Sequence, residues 1–348
     1  MDYATIDSTY YCGVDLHART MYLCLMDQSG QIHVHRNIKN DFALFQRVLA
    51  PYQESVAMSV ESTFNWYWLA DGCHQADIPF YLGHAFYMKS IHGGKKKNDR
   101  IDSRMLADLM RTNFFPLAYA YPQRMRATRD LLRRRHRFVA LRAEGYTHIQ
   151  NTFSQQAYLD PLQAMVKSKT TRRELSAHLA DPDLSLSIHS DLDMIEALDA
   201  IIYTLEKQLA TQAKHHDPKA FALLKTMPGV GKMIALTILY EIHTIERFRS
   251  AGALSSYSRL VKIQHESAGK KTKGGNNRIG NPHLKWAFTE IILRAQVDSP
   301  AIKKYYGKLK NKHGVAKAKS VIAHKFAVST YHMLKKGCVF DQREFVGT

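Results

Sequence analysis

Cysteine is scarce in this sequence, and long apolar runs are missing from it. The 348 residues include four cysteines, which are widely scattered and never form a C-x-x-C pair, so neither a disulfide framework nor a zinc knuckle is expected. The longest apolar stretches, such as Met233 to Tyr240, are too short to cross a bilayer. Residues 1–11 lack the basic start and apolar run of a secretory signal. These absences predict a reduced, cytoplasmic protein that does not span a membrane.

Acidic residues are outnumbered by basic ones. The chain has 49 Lys and Arg against 31 Asp and Glu, which gives a net charge of +18. Two stretches hold the excess, with 15 basic and 4 acidic residues in 89–142 and 19 basic and 5 acidic residues in 251–348. Segregated positive charge is typical of nucleic-acid-binding proteins, because Lys and Arg displace the counterions of phosphates. The alternative is a basic surface that serves solubility alone, which would not require the segregation.

The first third of the chain has the pattern of a mixed α/β sheet. Runs of apolar residues predict strands at 11–16, 21–26, 31–35, 55–60 and 80–82, with helices at 41–49 and 66–76. The order βββαβαβ predicts a sheet that begins with three antiparallel strands. A further helix is expected from about Ile101 to Met110.

The remainder of the chain is predicted to be mainly helical. Long helical patterns cover 124–153 and 191–214, separated by a polar stretch around Asp181-Pro182-Asp183, which favours an antiparallel coiled-coil connector or dimerisation arm. From about Phe221 onward, helices alternate with loops rich in Gly and Lys. We therefore predict three domains, at 1–120, 121–218 and 219–348.

Four carboxylates in the first domain are candidate metal ligands. Asp15 and Glu61 lie at the ends of predicted strands, and Asp99 and Asp102 are three residues apart, so that a helix starting there presents both on one face. In an RNase H-like strand order all four could meet at one end of the sheet. Such a cluster can hold two Mg²⁺ ions about 4 Å apart for phosphoryl transfer on nucleic acid. Alternatively, Asp99 and Asp102 only favour a helix N-terminus, and Glu61 is a solubilising charge.

Two C-terminal loops contain further candidate residues. Met227-Pro228-Gly229-Val230-Gly231-Lys232 fails the nucleotide-binding pattern and is either a helix-hairpin-helix contact to a nucleic-acid backbone or an ordinary tight turn. In the segment 264–281, Ser267 lies among many cations. A hydroxyl needs such a field, a base or a metal to act as a nucleophile on phosphorus. The same spacing fits a phosphate-binding loop with an incidental serine.

These motifs together resemble one known family. Gly13-Val14-Asp15, Val60-Glu61 and Asn98-Asp99-Arg100-Ile101-Asp102 are followed by Pro228-Gly229-Val230-Gly231, Glu266-Ser267-Ala268-Gly269-Lys270 and Gly280-Asn281-Pro282-His283-Leu284-Lys285. In order and spacing the set resembles the DEDD insertion-sequence transposases, which are bridge-RNA-guided recombinases. The similarity spans nearly the whole chain. It implies an RNase H-like (RuvC-like) N-terminal domain, a helical coiled-coil connector and a mainly α C-terminal transposase domain.

The resemblance also implies a mechanism and partners. Asp15, Glu61, Asp99 and Asp102 would bind Mg²⁺, and Ser267 would attack the scissile phosphate to form a covalent phosphoserine link. A structured guide RNA would pair with donor and target double-stranded DNA, which places the protein at the nucleoid. The implied assembly is a homo-tetramer, a dimer of dimers, in which one protomer's carboxylates act with another's serine.

One departure leaves the serine assignment open. The family commonly has Ser-Gly directly, whereas Ala268 intervenes here, and Ser255, Ser256 and Ser258 lie upstream as rival candidates. Phosphate contacts are expected from basic residues in three groups. They are Lys95, Lys96 and Lys97; Arg133, Arg134, Arg135 and Arg137; and Lys270, Lys273, Arg278 and Lys285.

Two other hypotheses fit the same residues. A RuvC-like junction nuclease would hydrolyse DNA with metal-activated water and would not need Ser267. A non-enzymatic RNA-binding or DNA-architectural protein would use only the basic surface and would be indifferent to magnesium and to Asp15.

Overall fold

A computed structural model describes residues 3, 5–91, 98–156, 168, 170–261, 265–267, 270–272 and 279–347. At residues 89–90, 176–178, 213–215, 265–267 and 270–272 only the backbone is described. The chain divides into two compact units, Met1–Gln123 and Arg124–Thr348. The predicted boundary at 218 lies inside the second unit and stays a prediction.

The first unit is built on a five-stranded mixed sheet. Its elements are β1 (Tyr10–Leu16), β2 (Thr20–Asp27), β3 (Ile32–Lys39), α1 (Phe42–Leu49), β4 (Val56–Glu61), α2 (Tyr67–Gln75), β5 (Phe80–Gly83), α3 (Ala85–Ile91) and α4 (Asp99–Arg111). The strand order is β3-β2-β1-β4-β5. β1, β2 and β3 pair antiparallel, whereas β1, β4 and β5 pair parallel. The predicted mixed sheet is confirmed, and it is consistent with an RNase H-like fold.

Local chemistry explains the antiparallel start of the sheet. The β2–β3 turn closes because Asp27 Oδ1 accepts hydrogen bonds from the backbone N–H groups of Ser29 and Gln31, at 2.9 and 3.0 Å. Gly30 adopts φ +87°, a conformation that a residue with a Cβ rarely takes. The turn therefore sets the register of β3, which extends to Lys39, four residues beyond the predicted strand.

Helix α4 lies almost in contact with the backbone of β1. A Cβ on Gly13 would come within 2.2 Å of the Ser103 carbonyl oxygen and 2.4 Å of the Ala107 nitrogen. Both atoms belong to the helix backbone, so neither can turn aside as a side chain would. Gly13 thus permits the approach that places the first turn of α4 beside the end of β1.

We expect Gly13→Ala to destabilise the first unit by about 3 kcal/mol, because an inserted methyl group must push α4 away from the sheet. Thermal unfolding followed by circular dichroism measures this change. Gly307→Ala is the matched control, since a Cβ there meets nothing within 4 Å and alanine favours a helix. Equal stability of the two variants would contradict the close packing of α4.

The second unit begins with two long antiparallel helices, α5 (Gln123–Gln155) and α6 (Pro182–His216). Ion pairs join Arg135 to Glu206 and Arg142 to Asp199, and a hydrogen bond joins His148 to Asp191. The positions rise along α5 as they fall along α6, which defines the antiparallel arrangement. α6 starts nine residues earlier than predicted, because Asp181 Oδ1 caps it by accepting from the backbone N–H groups of Asp183 and Leu184.

The remaining helices surround one apolar core. They are α7 (Pro218–Leu224), α8 (Lys232–Ile242), α9 (Ala251–Tyr257), α10 (Pro282–Asp298), α11 (Pro300–His313), α12 (Val315–Lys336) and α13 (Gln342–Val346), with a hairpin of β6 (His265–Ser267) and β7 (Lys270–Thr272). Leu132 of α5 and Leu209 of α6 join the same core. The predicted, mostly helical C-terminal region is confirmed. Among the described helices, none is both long and apolar enough for a membrane span.

Candidate functional site

Asp15 and Glu61 lie at the carboxyl ends of neighbouring parallel strands. Val14 of β1 pairs with Val60 of β4, and both side chains are buried in the core on one face of the sheet. Because side chains alternate along a strand, Asp15 and Glu61 belong to the opposite face, which α4 covers at Gly13. The two carboxylates therefore share one face and one end of the sheet.

The first turn of α4 carries the other two predicted carboxylates. Asn98 caps the helix, since its Oδ1 accepts a hydrogen bond from the Ile101 N–H at 2.9 Å. Asp99 and Asp102 follow within that turn, and Asp102 is 9% exposed. α4 begins two residues before the predicted start at Ile101, so both carboxylates are helical. The first turn of α4 therefore lies on the same face and at the same end of the sheet as Asp15 and Glu61.

Three side chains form a group that could hold a metal ion. Ligand atoms of Asp15, His17 and Asp99 all lie within 4.8 Å of one another. His17 Nε2 is 3.4 Å from Asp15 Oδ2 and 3.2 Å from Asp99 Oδ2. Within the described part of the chain, Glu61 and Asp102 fall outside this 4.8 Å group. The structure thus brings two of the four predicted carboxylates into direct proximity.

The sequence pattern did not identify His17 as a candidate site residue. It lies two residues after Asp15, and alternation continued one residue beyond the end of β1 would put it on the same face, which is the signal that could have found it. The group suits a divalent cation, because Asp15 and Asp99 supply the carboxylate oxygens that Mg²⁺ prefers. The Asp15 side chain is 15% exposed and that of Asp99 48% exposed. One side of the group is therefore open to a substrate.

The predicted serine lies at the end of a short strand. Ser267 closes β6 and pairs with Lys270 of β7, and the side chains of both are outside the described part. Lys273 and Arg278, predicted as phosphate contacts, lie outside the described residues, as do Lys95, Lys96 and Lys97. The backbone places Ser267 and Lys270 opposite each other at the tip of the hairpin.

The three rival serines differ in exposure. Ser255 and Ser258 are 0% exposed, so neither hydroxyl can reach a DNA phosphate without unfolding of this region. Ser256 is exposed, in α9. Of the rival serines only Ser256 is therefore accessible, and Ser256→Ala is a control variant for Ser267→Ala.

A buried carboxylate anchors the base of the serine segment. Glu241 of α8 is 2% exposed. Its Oε2 accepts hydrogen bonds from Arg129 Nε at 3.0 Å and from Asn281 Nδ2 at 2.7 Å, and its Oε1 accepts from Arg133 Nε at 2.7 Å. Burial alone would raise the pKa of Glu241, but the hydrogen bond from Arg133 and the charge of Arg129 lower it to about 2. The carboxylate is therefore ionised and joins three segments.

Asn281 connects this carboxylate to the segment that precedes it. Its Oδ1 caps α10 by accepting from His283 N at 2.9 Å, and its backbone N–H donates to the Tyr257 carbonyl at 2.6 Å. Arg259 Nε donates to the Gly280 carbonyl at 3.0 Å. Residues 257–259 and 280–281 are thus held together at the base of the segment that carries Ser267.

The turn at Pro228-Gly229-Val230-Gly231 packs against α10. Gly229 has φ +84°, and a Cβ there would lie 2.5 Å from the Ile291 carbonyl oxygen. Its N–H donates to Asp298 Oδ2 at 3.0 Å. Gly229 therefore has a packing role, whereas Gly231 and Lys232 are exposed at the start of α8. A backbone contact to nucleic acid at that exposed end stays a prediction.

The predicted arginine contacts divide into two groups. Arg133 and Arg135 bind the carboxylates of Glu241 and Glu206 in their own unit, and Arg133 shares Glu241 with Arg129. Arg134 and Arg137 are exposed on α5, and Lys285 is exposed in the first turn of α10. Nucleic-acid binding by any of them stays a prediction, and the exposed three have the geometry for it.

Two histidines lie close together beneath the start of α10. His136 Nδ1 is 3.3 Å from His283 Nδ1, and His136 Nε2 is 3.2 Å from Thr237 Oγ1. Burial, followed by the charges of His283 and Arg135, lowers the pKa of His136 to about 4. The imidazole is therefore neutral near pH 7, which permits its close approach to His283.

Comparison with known proteins gives one consistent result. Residues 12–157 match a family model described as a transposase of the DEDD type, and residues 221–307 match the model of the transposase IS116/IS110/IS902 family. A transposase assigned to the IS117 mini-circle of Streptomyces coelicolor is 24% identical over 404 aligned positions, covering 96% of both chains. The transposase for insertion sequence element IS1111A of Coxiella burnetii is 23% identical, covering 78% of this chain and 74% of its own.

Proposed function

Because this chain belongs to the DEDD-type IS116/IS110/IS902 transposase family, we propose that it is a magnesium-dependent, RNA-guided DNA recombinase. It would move an insertion sequence by strand exchange between donor and target DNA. The observation that carries the proposal is the meeting of Asp15, His17 and Asp99 at the carboxyl end of the central strands. A cluster of this chemistry is suited to phosphoryl transfer.

In the proposed mechanism the carboxylates would hold a metal ion beside the DNA phosphate. Asp15 and Asp99 would supply oxygen ligands, and Glu61 and Asp102 would complete the set from the same end of the sheet. Magnesium bound there would stabilise the charge that develops on the phosphate oxygens. His17 Nε2 lies within 3.4 Å of Asp15 Oδ2 and 3.2 Å of Asp99 Oδ2, and so would orient the two carboxylates.

Ser267 is the proposed nucleophile. Its Oγ loses a proton and bonds to phosphorus, while the bond from phosphorus to a deoxyribose oxygen breaks and that oxygen leaves as a hydroxyl. A deoxyribose hydroxyl of the other DNA then attacks the phosphoserine and releases Ser267. Each phosphodiester is exchanged for another, so no external energy source is needed. The cations around Ser267 in the sequence stabilise the negative charge of both transfers.

Guide RNA, donor DNA and target DNA are the proposed partners. The segregated positive charge of the chain supports binding to several polyanions at once. The proposed assembly is a tetramer, a dimer of dimers, in which the carboxylates of one protomer act with Ser267 of another. Under this proposal a lone subunit does not cut DNA.

Removal of magnesium tests the metal requirement. We expect EDTA to abolish strand exchange by the purified chain with its cognate RNA and DNA substrates, and excess Mg²⁺ to restore it, because the carboxylates repel the phosphate unless a cation lies between them. Product formation on a denaturing gel measures the effect, and RNA binding in EDTA is the control. Exchange at full rate in EDTA would refute the metal requirement, whereas binding of the nucleic acids with no exchange in Mg²⁺ would favour an architectural protein.

A further inference from the structure

A groove runs along α4 at the edge of the sheet. A cavity of about 610 Å³ is lined by Ile32 and His35 of β3 and by residues of α4 and its cap from Asn98 to Thr112. His35 Nε2 is 2.9 Å from the Arg100 carbonyl oxygen and ties the strand to the helix. We call this cavity, with the exposed side chains above it, the α4 groove.

The α4 groove adjoins the carboxylate site. Both use the first turn of α4, since Arg100 lines the groove and Asp99 belongs to the carboxylate group. Across the sheet, Asp15 pairs with Tyr22, and Tyr22 pairs with Asn37, two residues from His35. The same face of the sheet therefore leads from Asp15 to the groove.

Two exposed arginines give the groove its charge. Arg100 and Arg104 line it one helical turn apart, which is about 6 Å along the axis. Within the described part of the chain, neither forms an ion pair. The acidic residue of the lining, Asp108, accepts hydrogen bonds from Arg111 Nε and Nη2 at 2.9 and 2.7 Å. The charged side chains of the lining are therefore two arginines and one aspartate, which give it an excess of positive charge.

The floor of the groove is apolar. Ile32, Met105 and Leu109 line it beneath the arginines. A surface with separate cationic and apolar parts suits a nucleic-acid strand, whose phosphates need cations and whose sugars and bases pack on apolar surface. A free inorganic anion would use only the arginines and would leave the apolar floor in water.

We propose that the α4 groove binds the strand that enters the carboxylate site, with neighbouring phosphates on Arg100 and Arg104 and a sugar or base on Ile32 and Met105. This inference rests on the proposed function only where it says that the bound strand leads into the carboxylate site. Binding itself needs neither magnesium nor Ser267. The groove would hold the DNA next to the scissile phosphate and so set its position relative to Asp15.

Binding of labelled single-stranded DNA to the full chain in EDTA tests this inference. We expect Arg104→Gln to weaken binding several-fold and the double change Arg100→Gln, Arg104→Gln to weaken it about tenfold or more. The slope of log affinity against log salt should fall by about 0.7 for each phosphate that an arginine no longer neutralises. Arg47→Gln is the matched control, because Arg47 is exposed on α1, which packs on the other face of the sheet.

A crosslinking readout locates the contact. DNA containing 4-thiothymidine should crosslink to peptides within 98–112 in the wild type and lose these crosslinks in the double variant. Equal weakening by Arg47→Gln and Arg104→Gln, or crosslinks only outside 98–112, would overturn the inference. Displacement of the DNA by a polyglutamate peptide of equal affinity, dependent on Arg104, would also overturn it and indicate an acidic protein partner.

These outcomes separate the groove from the catalytic proposal. If the groove variants bind normally while EDTA still abolishes strand exchange, the groove is refuted and the recombinase stands. If strand exchange is indifferent to magnesium while Arg104→Gln weakens binding, the catalytic proposal fails and the nucleic-acid site stands.

Discussion

Asp15→Asn is expected to lower the rate of strand exchange about a thousandfold or more. The amide keeps the size of the side chain but removes the charge that, under the proposed function, would attract a metal ion at the end of β1. Loss of several kcal/mol of charge stabilisation in the transition state corresponds to this factor. The rate is measured with the purified chain, cognate RNA and labelled DNA in Mg²⁺, and RNA affinity should stay unchanged.

His17→Ala is the matched control for this change. His17 belongs to the same group as Asp15 and Asp99, with its Nε2 3.2 Å from Asp99 Oδ2, but Mg²⁺ prefers oxygen to imidazole nitrogen. We expect its removal to reduce the rate by about tenfold at most. If His17→Ala were as damaging as Asp15→Asn, the ligand set would need revision. Normal exchange by Asp15→Asn would contradict a catalytic role for the carboxylate group.

Glu241→Ala is expected to destabilise the second unit by about 3–5 kcal/mol. The change removes one partner of the ion pair between Glu241 and the buried Arg129, and breaking a buried ion pair in this way carries a penalty of this size. It also removes the acceptor of the Asn281 amide. Urea unfolding of the full chain, monitored by circular dichroism, measures the loss.

Glu206→Ala is the comparison for Glu241. Glu206 also binds an arginine, Arg135, but its side chain is 35% exposed, and solvent screens such a pair to about 1 kcal/mol or less. Equal losses of unfolding free energy in the two variants would show that burial does not make the Glu241 interactions stronger than the Glu206 pair. A loss below about 1 kcal/mol for both would contradict the anchoring role of Glu241.

Much of the first unit could be predicted because its signals are local. Alternation in β1 separates Val14 from Asp15, and that pattern alone assigns them to opposite faces. The mixed sheet follows from the order of the strand and helix patterns. His17 could have been found by the same alternation, but it falls one residue after the strand ends at Leu16, where the pattern gives less guidance.

The parts that could not be predicted depend on residues distant in sequence. Glu241 is separated from Arg133 by 108 positions and from Arg129 by 112, and no local pattern marks such partners. A run of arginines from 133 to 135 indicates nucleic-acid binding equally well whether its charges are free or internally paired. The structure distinguishes Arg134, which is exposed, from Arg133 and Arg135, which bind carboxylates.

The covalent step is tested most directly by a denaturing gel of the purified chain with cognate RNA, labelled donor and target DNA and Mg²⁺. Wild type and Ser256→Ala should each form a protease-sensitive protein–DNA adduct, and Ser267→Ala should form none, because Ser267 supplies the oxygen that bonds to phosphorus. An adduct in Ser267→Ala, or DNA cleavage by wild type without any adduct, would contradict the serine mechanism and favour hydrolysis by metal-activated water.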